Sequence, residues 1–254
     1  MSAPGSSPFD DSYFSSGTYE KVSFRTGSQY WWSNRFYALL VRRYTPPVGR
    51  LLEVGFGLGH LLARLEPPYE TYGVDVNGWA LQKAKSVAPR ARLHEGLAED
   101  LGFFEDGFFQ VLIAKHVVEH VPRPEAAVRE FARVVAPGGW AVLSTPNLDS
   151  PMRARKGKEW IGYRDRTHVS LRAPVEWIAM ADSAGFRLRK IFSDGFWDPP
   201  YLRGVPARLQ RLLFGLPGGV QAILAIPFLP VRWGESVILI AQKDPRGTSA
   251  HSSS

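Results

Sequence analysis

The 254-residue chain contains no cysteine. Disulfides, thiolate nucleophiles and cysteine-ligated zinc are thereby excluded, and a reducing, cytoplasmic setting is expected. Long apolar runs are missing as well. A spanning helix needs about 18–20 successive apolar residues, whereas the nearest stretch, Val220–Val231, is short and broken by Pro227 and Pro230. The opening residues MSAPGSSPFDDSYF lack a basic region followed by an apolar run, so no signal peptide is expected. No repeat of 20–50 residues and no long low-complexity block is found.

What is present suits a globular protein. Hydrophobic residues make up 44% of the chain, enough to bury a sizeable core. A formal net charge of +7 favours anionic partners, although a basic solvated surface gives the same balance. Residues 1–18 read as a flexible arm and residues 243–254 as a tail. Between them, residues 19–242 read as one domain, with a Pro- and Gly-rich insertion over about 195–234.

Short apolar runs alternate with helical spacing along that domain. Strands are expected over Arg50–Val54, Thr71–Asp75, Ala91–His94, Phe108–Ala114, Trp140–Ser144, Phe186–Phe192 and Ser236–Ala241. Helices are expected over Leu58–Leu65, Gly78–Val87, Glu125–Val135 and Pro174–Ala184. The Pro137-Gly138-Gly139 break separates the third of these from the fifth strand. Alternation of this kind predicts an α/β fold with a mainly parallel sheet covered on both faces.

Glu53-Val54-Gly55-Phe56-Gly57-Leu58-Gly59 ends the first strand and opens a helix. Glycines suit a backbone that must turn sharply and lie against a ligand, and a helix N-terminus presents free N–H groups there. The third glycine comes one place earlier than in the dinucleotide fingerprint, with His60 in the slot usually held by Gly or Ala. Asp75 ends the second strand, where a carboxylate can accept both hydrogen bonds of a ribose diol.

This loop resembles the first motif of class I S-adenosylmethionine-dependent methyltransferases. Gly138-Gly139 and Ser144-Thr145-Pro146-Asn147 resemble later motifs of the same family. Val117-Val118-Glu119-His120-Val121, Asp182-Ser183-Ala184-Gly185-Phe186 and the aromatic stretch Tyr30-Trp31-Trp32 with Arg35 resemble the bacterial subgroup of ubiquinone-pathway O-methyltransferases. The resemblance implies a Rossmann-like seven-stranded sheet whose last strand is antiparallel. It implies that S-adenosylmethionine lies against Glu53, Gly55, Phe56, Gly57, Asp75, Val76, Leu97, Ala98, Glu99 and Lys115. Leu97 and Gln110 stand where that family usually has aspartates. The first change removes an adenine contact, and the second reads as structural.

His116, Glu119 and His120 follow the fourth strand at i, i+3 and i+4, one face of a helical turn. Pro122 cuts that helix short, which argues against the inverted zinc-peptidase motif that H-x-x-E-H otherwise spells. His120 or His116 could serve as general base toward a substrate hydroxyl. Alternatively, His116, Glu119 and His120 could hold a divalent metal ion, or the cluster could simply brace the loop. Asp165 and His168 form a second polar group, and the resemblance places His168 over the same pocket.

Asp198-Pro199-Pro200-Tyr201 spells a signature of amino-group methyltransferases, but it follows the wrong strand and reads as a proline turn. The insertion sets Arg203, Arg208 and Arg211 among leucines, which suits a cap, a core element or a peripheral membrane contact. The expected acceptor is a small-molecule, sugar or lipid-linked hydroxyl. No nucleic acid is expected as a partner. An RNA substrate bound by Arg153, Arg155, Lys156 and Lys158 is the competing reading, together with a non-catalytic protein that retains a cofactor site.

Overall fold

A computed structural model describes residues 22–245. The proposed arm, residues 1–18, and the tail beyond residue 245 lie outside the described residues.

The first element, α1 (Gln29–Tyr44), is a helix capped by Ser28, whose side chain accepts from the N–H of Trp31. Strand β1 (Gly49–Val54) leads through the glycine loop to a single helical turn, α2 (Leu62–Leu65). The longer helix expected from Leu58 does not form. Gly57 and Gly59 have φ of 52° and 78°, and the Gly59 N–H closes a turn on the Phe56 carbonyl at 2.9 Å. The loop therefore persists to Leu61. Strand β2 (Tyr69–Asp75), helix α3 (Gly78–Val87) and strand β3 (Arg92–Glu95) follow within two residues of expectation.

Strand β4 (Phe109–Lys115) sits in the middle of the sheet. Helix α4 (Pro124–Val134) passes directly into β5 (Val135–Pro146). The expected break at Pro137-Gly138-Gly139 is instead an irregularity within β5. Its register against β4 shifts between Phe109 and Val111, and Gly138 takes φ 75° without interrupting the strand. Short helices α5 (Pro151–Lys156) and α6 (Ile161–Arg164) come next, then α7 (Pro174–Ser183) and β6 (Phe186–Ser193). The insertion contains an 18-residue helix, α8 (Ala207–Leu224), with Pro217 inside it. Strand β7 (Ser236–Lys243) runs two residues past its expected end and takes Lys243 from the tail.

The sheet order is β3-β2-β1-β4-β5-β7-β6, with β7 antiparallel to both of its neighbours and the other pairs parallel. This is the seven-stranded arrangement expected. Alternate side chains on each strand face opposite layers. Leu52, Leu112, Leu143 and Leu239 pack with Phe131 of α4 and Trp177 of α7. Leu51, Val111, Val142 and Ile240 pack on the other face with Phe36 and Leu40 of α1. Each fully buried aliphatic or aromatic side chain contributes roughly 1.5–3 kcal/mol. Two layers of such residues hold the carboxyl ends of β1, β4 and β5 in register, and the candidate site opens there.

Gln110 has a structural duty, as read from the sequence. Its Oε1 accepts the Arg50 N–H at 2.8 Å and so joins the starts of β4 and β1.

Candidate functional site

A cleft of about 1200 Å³ lies over the carboxyl ends of the central strands, walled by the glycine loop, α1, the His116–His120 segment and α8. Its floor depends on Gly55. A Cβ there would come within 2.2 Å of Val117 Cγ2, and the residue has φ of +70°. Only glycine permits the close approach. The Gly57 N–H then donates to Asp75 Oδ2 at 2.7 Å, and the Asn77 N–H donates to Oδ1 at 2.9 Å. Burial pushes the Asp75 carboxyl up, while these backbone donors oppose the shift.

Glu53, one residue before the end of β1, and Lys115, the last residue of the parallel neighbour β4, both line the cleft. Burial pushes the Glu53 carboxyl up to about 8 and the Lys115 ammonium down to about 8, each partly held by the other's charge. Lys115 Nζ donates to Asn34 Oδ1 at 2.6 Å and lies over the rings of Tyr30 and Tyr37. Glu53 Oε2 is buried with no hydrogen-bond partner. A bare carboxylate oxygen beside a glycine cradle fits the ammonium end of an amino-acid ligand.

The sequence-predicted cofactor residues divide into three groups. Glu53, Gly55, Phe56, Gly57 and Lys115 line the cleft, although the Phe56 ring turns into the core and leaves its backbone to the site. Asp75 adjoins them through Gly57. Val76 and Leu97 are exposed, Ala98 is buried and Glu99 is half-buried, all beyond the cleft's lining at the ends of β2 and β3.

The histidine cluster forms, but not as one α-helical turn. His116 has φ of 55°, and only Val118–His120 is helical, as a tight 3-10 turn. His116 Nδ1 bonds Glu119 Oε1 at 3.0 Å. The buried Glu119 carboxyl would be raised by desolvation, but the His116 hydrogen bond and the neighbouring histidines hold it below the ordinary range. Its Oε2 has no hydrogen-bond partner. The group able to converge on one ion is Glu119, His120 and His168, whose ligand atoms lie within 4.8 Å of one another. His168 thus stands where the sequence put His116. The cause is the His116 backbone, which turns away and spends the side chain on Glu119.

Tautomers follow from the acceptors. Thr167 Oγ1 gives its hydrogen to Asp165 Oδ1 at 2.5 Å and takes one from His120 Nδ1 at 2.9 Å. His168 Nδ1 faces the Gly162 carbonyl at 2.7 Å. In the neutral form each ring therefore carries its hydrogen on Nδ1 and its lone pair on Nε2. Burial also pushes His120 down, favouring that neutral form.

Asn34, Tyr37 and Asp194 are among the cleft residues that escaped the sequence reading. The first two lie on α1 four and seven positions after Tyr30, a helical spacing that could have found them. Asp194 directly follows β6 and accepts the Ser236 N–H at 2.9 Å. Burial pushes it up to about 6. Nothing local in the sequence distinguishes it.

The D-P-P-Y turn is a brace. Asp198 pairs with Lys156, and with Arg164 at 2.8 Å, while Arg155 donates to the Tyr201 carbonyl. Two of the four basic residues weighed for RNA are therefore engaged in holding α5 to the insertion.

A family model described as a methyltransferase domain matches residues 31–191. The chain is 32% identical over 160 residues to a ubiquinone biosynthesis O-methyltransferase of Thiobacillus denitrificans, covering 56% of this chain and 66% of that protein. It thus spans just under two thirds of that relative's length. Identity is also 32% over 162 residues to the protein of the same name from Chromobacterium violaceum, covering 58% and 68%. Among solved structures, the YcgJ protein of Bacillus subtilis aligns with a TM-score of 0.59 at 20% identity, over 85% of this chain and all of that one, a likeness of fold. By its matched family, its sheet order and its glycine loop, this chain belongs to the class I S-adenosylmethionine-dependent methyltransferases.

Proposed function

We propose that the chain methylates a hydroxyl oxygen of a small, apolar or lipid-linked acceptor bound in the cleft, with His120 as general base. The observation that carries this reading is the placement of His120, its Nδ1 bonded to Thr167, in the same cleft as the glycine loop. Gly55, Gly57 and Asp75 would cradle the methyl donor, and Glu53 Oε2 would accept from its ammonium. His120 Nε2 takes the acceptor's hydroxyl proton as that oxygen bonds the methyl carbon. The methyl donor, when bound, would supply the electrophilic methyl group, the electron pair of the broken carbon–sulfur bond staying with sulfur in the departing S-adenosylhomocysteine. Positioning and exclusion of water supply most of the acceleration in such a displacement. Oxygen is favoured as nucleophile because the relatives named above are O-methyltransferases and because an unactivated hydroxyl profits from a base.

A second reading concerns a divalent metal ion. The buried, unpartnered Glu119 Oε2 and the Nε2 lone pairs of His120 and His168 fit an oxygen- and nitrogen-ligating cation. These three residues would hold the ion, which when bound would lower the pKa of a nearby hydroxyl. The Nδ1 bonds to Thr167 and Gly162 are the outer contacts that orient histidine ligands.

The insertion over 195–234 is read as a cap that closes the cleft and meets a membrane surface. Arg211, Gly219 and Ile223 of α8 line the cleft, so the helix would touch the acceptor. The decisive experiment supplies labelled S-adenosylmethionine with phenolic and lipid-extract acceptors, with and without prior EDTA treatment. A methyl ether in the product supports the reading, and a methylated amine or RNA overturns it. Full turnover after EDTA leaves His120 as base without a labile ion.

A further inference from the structure

Helix α8 is amphipathic in the wrong sense for a soluble protein. Its buried positions are Gln210, Gly215, Gly218, Gln221 and Ala222. Its exposed positions include Leu209, Leu212, Leu213, Leu216, Val220, Ile223 and Leu224, and Leu212 is 64% exposed. Those leucines recur at three- and four-residue intervals, so they form one stripe facing solvent. Ile226, Phe228 and Trp233 extend the exposed apolar surface past the helix.

The inward glutamines have local duties. Gln210 Oε1 accepts from the N–H groups of Tyr201 and Leu202, and its amide donates to the carbonyls of Leu202 and Val205. Gln221 Oε1 accepts from Phe228 and Leu229, and its amide donates to the Ser193 carbonyl. The buried face needs these polar groups to saturate loop backbone. No comparable need explains leucines in water, and a continuous apolar patch of this kind marks an interaction surface.

Charge says what covers it. From Pro199 to Gly234 the chain has four arginines, Arg203, Arg208, Arg211 and Arg232, and neither Asp nor Glu. All four are exposed, and among the described residues none forms an ion pair. A second copy meeting this face about a two-fold axis would set arginine against arginine with no acid between them. An anionic bilayer provides both partners at once. Acyl chains take the leucines, headgroup phosphates take the guanidinium ends of side chains whose stems lie along the apolar surface, and Trp233 suits the interface. No helix among the described residues is long and apolar enough to cross a membrane, so α8 would lie in the surface.

We infer that the solvent face of α8, with Arg203, Arg208 and Arg232 at its margins, docks this enzyme onto anionic phospholipid membranes. The inference deepens the cap reading and rests on it for the consequence that the cleft opens toward the bilayer. Ile223 belongs both to the exposed stripe and to the cleft wall, so the mouth of the cleft borders the docking face.

Flotation with vesicles tests this without any methyl acceptor. The probes are vesicles of phosphatidylcholine alone and of phosphatidylcholine with phosphatidylglycerol at roughly two to one. The full chain should float with the anionic vesicles, remain behind with the neutral ones, and release as salt rises from about 0.1 M to about 0.5 M. Leu213→Glu combined with Leu216→Glu, both exposed and neither in the cleft, should weaken flotation at least about tenfold. Unchanged S-adenosylhomocysteine binding and melting would show that this variant is folded. Replacing Arg203, Arg208 and Arg232 with Gln should abolish the preference for anionic lipid. Wild-type protein that ignores anionic vesicles overturns the inference, as does a leucine variant that floats equally well. A wild-type dimer that the leucine variant dissociates would assign the face to a second copy instead. Loss of methyl transfer with flotation intact would count against the enzymatic reading alone.

Discussion

His120 and Thr167, 47 positions apart, meet through a 2.9 Å hydrogen bond from the imidazole Nδ1 to the threonine hydroxyl. Asp165 receives the hydroxyl's own hydrogen, so the direction of the chain puts hydrogen on His120 Nδ1 and the lone pair of the neutral ring on Nε2. Removing the relay should therefore impair chemistry more than binding. Thr167→Val is expected to lower turnover about 10- to 100-fold and to leave S-adenosylhomocysteine affinity within a factor of a few. Calorimetry beside steady-state kinetics makes the comparison, and equal losses in both would reduce Thr167 to a packing residue.

His120 itself should carry the pH dependence. An imidazole titrates ordinarily near ~6.5, and burial pushes His120 below that. A base acts when deprotonated, so turnover should rise with pH along a limb centred below 6.5 and level off above it. His120→Ala should remove that limb and cost at least ~100-fold. A limb that persists in the variant would transfer the role to another group.

Asp75 links the glycine loop to the start of α3 by accepting from Gly57 and Asn77. Asp75→Ala should weaken S-adenosylhomocysteine binding by about 1.5–3 kcal/mol through lost ribose and loop hydrogen bonds. Asp75→Asn keeps one acceptor oxygen and should fall between the two. Unchanged affinity in a folded Asp75→Ala protein would remove the residue from the cofactor site.

At Gly55, a Cβ would collide with Val117 and strain a left-handed backbone. Gly55→Ala should destabilise the fold by roughly 2–4 kcal/mol, the sum of an unfavourable φ and overpacking. Adding Val117→Ala relieves the collision alone, so denaturant titration should recover only part of the loss. Full recovery would mean that the positive φ costs little.

On the cap, Arg211 lines the cleft and forms no ion pair among the described residues. Arg211→Ala should raise the acceptor KM several-fold while S-adenosylhomocysteine affinity and melting stay put, as expected for uniform binding lost at one subsite. Point substitutions are the right tool for this segment, because Ala222 belongs to the core layer with Phe36, Phe192 and Ile238. Excising the whole insertion would open that layer and test stability instead of capping.

Much of the molecule could be read from local pattern. Apolar runs of strand length place β1, β4 and β7, because a strand buried on both faces has no polar alternation to obscure it. The glycine loop and Asp75 are legible for a similar reason, since turn geometry and spacing are properties of a few adjacent residues. Even the period of α1 hints at Asn34 and Tyr37. The boundary errors at Leu58 and at Pro137-Gly138-Gly139 have one cause. Glycine permits a turn, a loop or a bulged strand equally, and neighbouring layers choose among them.

Only the tertiary structure decides the rest. Which histidine joins Glu119 and His120 depends on how the segment after β5 returns over the sheet. That return brings in His168, while His116 spends its side chain on Glu119. Asp194 acquires its raised pKa from burial beside β7, which no short window of sequence encodes. The face of α8 is the clearest case. Its residues have helical spacing on either reading, yet whether the leucines or the glutamines turn inward is settled by loop backbone at Ser193, Tyr201 and Leu229 that must be hydrogen-bonded. Turned outward, the two glutamines would leave several of these backbone groups unsatisfied together, so the glutamines go in.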